Sequence, residues 1–258
     1  MRINFLGTCS GTEPMPGRHH TSITVEVGDR MFWFDAGEGC GHTAHVMGLD
    51  LAATEAVFIS HTHMDHIGGL PHLIWTLRKL AGRVEGFGAR LGGRQIPLYI
   101  PRPEVFDAVN TLLANGKGLS PAFTITARPC QDGWLYEQDG VRVRALHNLH
   151  LGPDEPFRSF SYRLEADGRG IVFSGDVKSV ADFEPLIDPC DVLMMETGHH
   201  RVEEVCEYLR GSGHRFGQLV FVHHGRAILA DPAGELAKAR SVLGNKVHIA
   251  ADRQSVMI

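Results

Sequence analysis

No apolar run in this sequence approaches the roughly 18 to 20 residues that a membrane-spanning helix requires. The start, Met1-Arg2-Ile3-Asn4-Phe5, enters a strand pattern at once and has no long apolar stretch ahead of a small-residue cleavage site. Low-complexity tracts are missing, as is any repeat with a period of about 20 to 50 residues, so solenoids and propellers are excluded. Cysteine is scarce. Cys9, Cys40, Cys130, Cys190 and Cys206 are scattered without a CxxC step, and their odd number leaves one unpaired under any disulfide scheme. Basic residues do not dominate, because 25 Lys and Arg face 30 Asp and Glu for a net charge of −5. That balance argues against chain-wide attraction to nucleic acid or to an anionic membrane. These absences predict a soluble, cytoplasmic protein with free thiols, no membrane association and a single domain over residues 1–258, whose 43% hydrophobic content suffices for a large core.

What is present is concentrated ligand chemistry. His61-Thr62-His63-Met64-Asp65-His66 places four ligand-type side chains within six residues, after the apolar run Ala56-Val57-Phe58-Ile59 and one Ser. That run reads as a buried strand, so the ligands occupy the loop leaving its carboxyl end, where open α/β sheets bind their ligands. Imidazole and carboxylate suit zinc and its first-row neighbours. A catalytic zinc takes about three protein ligands and keeps a position for water, so four candidates on one loop point to two metals. The chain holds 16 His in all, which makes accidental clusters commoner, but a solvated loop does not account for a strand end followed by His-x-His-x-Asp-His.

Around this loop the pattern alternates between strand and helix. Ile23, Val25 and Val27 alternate up to Gly28-Asp29, and the chain returns through Met31 to Phe34 as a hairpin. A helix is predicted after Gly39, another over 67–80 with Leu70, Leu73, Ile74 and Leu77 on one stripe, a strand over 98–100 and a helix over 105–113 behind Pro103. The second half predicts strands over 141–146, 159–165, 170–173, 192–195 and 219–222, with helices over 202–209 and 233–243. Strand-rich halves with interspersed helices predict two packed sheets flanked by helices, an α/β class.

Further motifs follow in a set order: LGTCSGTEPMPGRHHTS from Leu6, FWFDAGEG over 32–39, FSGD over 173–176 and FVHHG over 221–225. In these the chain resembles the metallo-β-lactamase fold hydrolases, whose signature is HxHxDH, and most of all their ribonuclease Z and phosphodiesterase branch. The resemblance runs from residue 4 to about 226. It implies a four-layer αββα sandwich with the metals at the joint edge of both sheets. Carried over by motif position, it implies His61 and His63 on the first metal, Asp65 and His66 on the second, and Asp176 as the bridging carboxylate. The third histidine of the first metal is His147 or His150; His150 is preferred because it lies past the strand end, ahead of Gly152-Pro153. His223, the first residue beyond an apolar strand, is the last ligand, with His224 as a supporting neighbour. The implied cofactors are two divalent ions, zinc first and manganese or iron as alternatives, hydrolysing by metal-bound hydroxide with Asp65 also counted as catalytic. Glu196 with either His199 or His200 would form the acid pair that protonates a leaving alkoxide. A thiolate at Cys9 or Cys40 is a further candidate near the expected site, without the usual cysteine signatures.

The leading functional expectation is a dinuclear metal-dependent hydrolase of small or short phosphodiesters. The alternatives are a carboxylic-ester, thioester or lactone hydrolase on the same metals, and a transfer-RNA 3′ processing endonuclease lacking the usual arm. That branch carries a long arm between its third histidine and its bridging Asp, whereas the 26 residues from His150 to Asp176 are mostly consumed by a hairpin turning at Asp167-Gly168. Between Arg78 and Arg102, six basic residues stand against Glu85 alone, among five glycines, and read as a mobile basic flap for an anionic substrate. The expected partners are a small anionic substrate, a short nucleic acid and a second copy of the chain in a homodimer.

Overall fold

Two seven-stranded mixed sheets form from segments that interleave along the chain. The computed structural model describes residues 1–114 and 122–258. In chain order the first strands are β1 (Arg2–Gly7), β2 (Ser22–Val27), β3 (Arg30–Phe34), β4 (Thr54–Phe58), β5 (Gln95–Ile100), β6 (Thr124–Pro129) and β7 (Gly133–Gln138). They are followed by β8 (Val141–His147), β9 (Phe160–Ala166), β10 (Arg169–Phe173), β11 (Cys190–Thr197), β12 (Phe216–His224), β13 (Val247–Ile249) and β14 (Gln254–Met257). The helices are α1 (Cys40–Val46), α2 (Met64–Ile67), α3 (Leu70–Arg83), α4 (Phe87–Leu91), α5 (Pro103–Ala114), α6 (Val202–Ser212), α7 (Arg226–Ala230) and α8 (Pro232–Leu243). One compact unit comprises Met1–Gly7, His19–Pro129 and Arg253–Ile258; the other comprises Thr8–Arg18 and Cys130–Asp252. Among the described residues no helix is long and apolar enough to cross a membrane.

In the first unit the strand order is β14-β1-β2-β3-β4-β5-β6. The β2–β3 hairpin pairs Ile23 with Phe34 and Val25 with Phe32, as its alternation predicts. From β3 onward the pairing is parallel, and β4 is almost wholly buried, which explains its unbroken apolar run. Leu70, Leu73, Ile74 and Leu77 of α3 pack into the core with Trp33, whose indole Nε1–H donates to Thr54 Oγ1 at 3.2 Å.

Two expectations change here. The helix predicted over 67–80 is split into a single turn, α2, and the longer α3. The break sits at Gly69, where a Cβ would lie 2.0 Å from the Gly37 carbonyl oxygen and where the backbone N–H donates to Ala36 O at 2.8 Å. This close approach needs glycine, and it ties the Asp35-Ala36-Gly37 turn to the ligand loop. The basic segment from Arg78 to Arg102 is not a loop: it completes α3, forms α4 and enters β5. Strand β6, half exposed and pairing only with β5, has no alternation by which to be found.

In the second unit the order is β13-β12-β11-β10-β9-β8-β7, with parallel pairing from β10 to β13 and antiparallel pairing from β10 to β7. Strand β9 runs against both β8 and β10, so β8, β10, β11 and β12 share one direction. Their carboxyl ends therefore open on one edge of the sheet, the edge from which the candidate ligands of this unit emerge. Val202, Val205, Cys206 and Leu209 of α6 pack against Leu193, Met195 and Phe221 to hold that edge on a rigid base.

Candidate metal centre

In the first unit the ligand loop starts where β4 ends. Asp35, at the end of β3, has a left-handed backbone (φ 59) and is completely buried. Its Oδ1 accepts from Ser60 N at 2.7 Å, and its Oδ2 accepts from Ser60 Oγ at 2.8 Å and from His66 Nδ1 at 2.6 Å. Burial pushes the Asp35 carboxyl above the ordinary range, while attraction to His66 and the Ser60 hydrogen bonds oppose that rise. With Nδ1 occupied, His66 is left to offer Nε2, which lies 3.3 Å from Asp65 Oδ2. His61 Nδ1 rests 3.1 Å from Ser60 Oγ, and its Nε2 meets His63 Nδ1 at 2.9 Å.

In the second unit Asp176 follows β10 and divides its carboxylate. Oδ1 lies 3.3 Å from His223 Nε2 and Oδ2 lies 3.8 Å from His150 Nε2. His223, next to last in β12, has φ 48, a conformation uncommon outside glycine. Gly198 makes room for its ring, since a Cβ there would stand 2.6 Å from His223 Nδ1. His224 turns away and donates Nε2–H to Ala250 O at 2.8 Å; burial lowers its pKa to about 3, which keeps it neutral. His147 also turns away. Its Nδ1 bonds Asp132 Oδ2 at 2.7 Å, its backbone N–H bonds Asp132 Oδ1 at 2.6 Å, and its ring stacks on Phe157 at 3.7 Å.

Glu196 is completely buried and accepts from His199 twice, from Nδ1 at 2.9 Å and from the backbone N–H at 3.0 Å. Burial would raise its pKa, but the hydrogen bond from His199 and the nearby His223, 3.6 Å away, outweigh it and bring the value to about 2. The same bond to Glu196 raises the pKa of His199. His200 spends Nε2 on Val177 O at 3.0 Å. The second unit thus gathers Asp176, Glu196, His199 and His223 closely enough to serve as a ligand set.

The donors fit divalent metal chemistry. Two atoms about 2.0–2.2 Å from one tetrahedral ion lie about 3.3 to 3.6 Å apart, and the His66–Asp65 and His223–Asp176 separations, both 3.3 Å, match that spacing. None of the five cysteines is in a disulfide, and burial pushes the Cys40 thiol to about 12 and away from a thiolate. Cys9 is buried with Sγ 3.3 Å from Thr12 Oγ1. Half of the cations in the basic segment already have acidic partners. Arg90 forms a two-pronged ion pair with Asp50 at 2.9 and 2.5 Å, and Arg94 pairs with Glu55 and donates to Ala52 O at 3.1 Å.

Residues 30–230 match the Beta-lactamase superfamily domain. The chain belongs to the β-lactamase superfamily. It is similar to the ribonuclease Z of Mycobacterium marinum, with 25% identity over 287 residues covering 100% of this chain and 99% of that protein. It is also similar to the ribonuclease Z of Methanothermobacter thermautotrophicus, with 30% identity over 150 residues; there the match takes in 58% of this chain and only 45% of the relative's length. Among solved structures, the short form of human tRNase Z resembles it with a TM-score of 0.72 at 19% identity, covering 100% of this chain and 99% of that one. The two mixed sheets with their helices agree with the metallo-β-lactamase fold expected from the motifs. Sequence reasoning singled out the FWFDAGEG turn that contains Asp35 without giving that residue a role, and gave none to Ser60 or Gly198.

Proposed function

We propose that the chain is a dinuclear metal-dependent phosphodiesterase acting on small or short phosphodiesters. The reading takes the sequence-predicted ligands as one centre within a single hydrolase domain over 1–258. His61, His63 and His150 take one ion, Asp65, His66 and His223 take the other, and Asp176 serves both. The observation that carries it is the divided carboxylate of Asp176, with one oxygen beside His223 and the other beside His150. A carboxylate so placed offsets the repulsion of two dications. When bound, such a pair lowers the pKa of a water and offsets charge gathering on phosphoryl oxygens. Zinc is the proposed metal, with manganese and iron as the alternatives a metal analysis distinguishes.

The rest of the chemistry belongs to the side chains. Glu196 accepts the Nδ1–H of His199, which raises the pKa of that imidazole and leaves Nε2 as the proton donor to a leaving alkoxide. His199 is preferred over His200 for this role, because the Nε2 of His200 is engaged with a backbone carbonyl. Asp65 orients the attacking water in addition to its ligand role. The name ribonuclease Z carried by the relatives supports a phosphodiester substrate. Precursor transfer RNA is not proposed, since the β9–β10 hairpin with its turn takes up more than half of the stretch from His150 to Asp176 where an arm would stand. The test is metal content together with turnover of bis(p-nitrophenyl) phosphate, a lactone and a thioester. Lactone or thioester turnover with no phosphodiester cleavage overturns the reading.

A further inference from the structure

The basic segment from Arg78 to Arg102 holds three cations without an acidic partner. Arg90, Arg94 and Arg102 are paired with Asp50, Glu55 and Glu104, whereas among the described residues Arg78, Lys79 and Arg83 have no carboxylate partner. All three lie on α3, the helix that follows the ligand loop directly. At 100° per residue, Trp75 points opposite the buried stripe of Leu70, Leu73, Ile74 and Leu77, and it is 41% exposed. The same helical wheel brings His72, Lys79 and Arg83 to its flank. Lys79 Nζ stands 4.2 Å and Arg78 Cζ 5.5 Å from the Trp75 ring centroid. Arg78 also holds Nη1 out of solvent with no acceptor. An exposed aromatic ring carrying Lys79 and Arg78 over its π system, cations with no carboxylate partner, on a chain of net charge −5, is complementary to a polyanion that carries planar rings.

We propose that this face of α3 binds single-stranded polynucleotide, with a base stacked on Trp75 and phosphates against Arg78, Lys79 and Arg83. The inference deepens the phosphodiesterase reading and rests on it for the identity of the bond cleaved. Trp75 stands five residues beyond the helix start, roughly 8 Å along the axis, so a strand held there needs only a few nucleotides to reach the ligand loop.

The probes are a ten-residue oligothymidylate, an abasic oligomer of the same length and charge, phosphatidylserine vesicles, and bis(p-nitrophenyl) phosphate. The wild-type protein is expected to bind the oligothymidylate more tightly than the abasic chain. Trp75→Ala should weaken that binding by about 10- to 100-fold, as loss of one stacked base does, and Trp75→Phe should restore most of it. Replacing Arg78 and Lys79 together with Ala should reduce the dependence of log affinity on log salt by about 1.4. Turnover of bis(p-nitrophenyl) phosphate should stay within about twofold in all three variants, because a ligand that small does not reach the helix. Equal binding of the abasic oligomer, unchanged oligothymidylate binding in Trp75→Ala, or binding to vesicles in place of the oligomer overturns the proposal. Trp75-dependent oligomer binding without cleavage of any phosphodiester sustains the surface and instead overturns the catalytic reading.

Discussion

His66 donates its Nδ1 proton to Asp35 across 2.6 Å, from a position where neither side chain has any exposed surface. The bond selects the tautomer with a lone pair on Nε2, the atom that faces Asp65. Asp35→Asn keeps the shape but allows the carboxamide to bond either tautomer. The expected outcome is a loss of metal affinity of about 10- to 100-fold, measured by competition with a chromogenic zinc chelator. An unchanged affinity would show that the ring is held by packing alone.

Asp176→Ala removes the carboxylate that the proposal shares between two ions. Metal content measured by plasma mass spectrometry should fall from close to two ions per chain for both sites, and phosphodiesterase activity should drop by more than about 100-fold, beyond the cost of losing an outer partner. A variant that retains two ions and normal turnover contradicts the proposal.

His150 and His147 are three residues apart and face different surroundings, the one beside Asp176 and the other between Asp132 and Phe157. His150→Ala should therefore lose metal and activity. His147→Ala should keep both and cost about 1 kcal/mol of stability through its broken hydrogen bonds, read from urea unfolding. The reverse order would assign the ligand to His147.

Arg90 and Arg94 contact acidic partners on their own unit rather than waiting for substrate. Arg90→Ala should change stability by well under 1 kcal/mol, as half-exposed ion pairs do. Arg94→Ala should cost about 1 to 3 kcal/mol, since it strips a charged hydrogen bond from the partly buried Glu55. Neither should alter KM for an anionic diester; a severalfold rise in KM with unchanged stability would restore the flap.

Thiol reactivity offers a check on burial. Desolvation drives the thiols of Cys40, Cys190 and Cys206 to about 12, and Cys9 is buried, while Cys130 is partly exposed. Native protein at pH 8 should react with Ellman's reagent at a single residue, Cys130, and at all five only after unfolding. Rapid modification of Cys40 would revive its candidacy at the site.

The HTHMDH loop, the strand before it and the stripe on α3 could be recognised in the sequence because each is written locally. A ligand is a residue type, a buried parallel strand is an apolar run, and a helix face repeats every 3.6 residues. The strands β6, β13 and β14 were not legible. They are short or half exposed, and their pairing comes from partners far along the chain rather than from alternation. The break between α2 and α3 was hidden for a similar reason: Gly68-Gly69 is weak evidence by itself, and the decisive contact is with the Gly37 carbonyl, 32 residues earlier.

The sequence by itself determined which residue types the site has available, the order of its motifs and the family to which they belong. Only the tertiary structure decided that Asp35 supports His66, that His147 belongs to Asp132, that His199 gives Nδ1 to Glu196 while His200 gives Nε2 to a backbone carbonyl, and that Arg90 and Arg94 already have acidic partners. The physical reason is that donor chemistry resides in a side chain, whereas the direction that side chain takes depends on strand register, backbone close approach and competing partners brought in from distant segments.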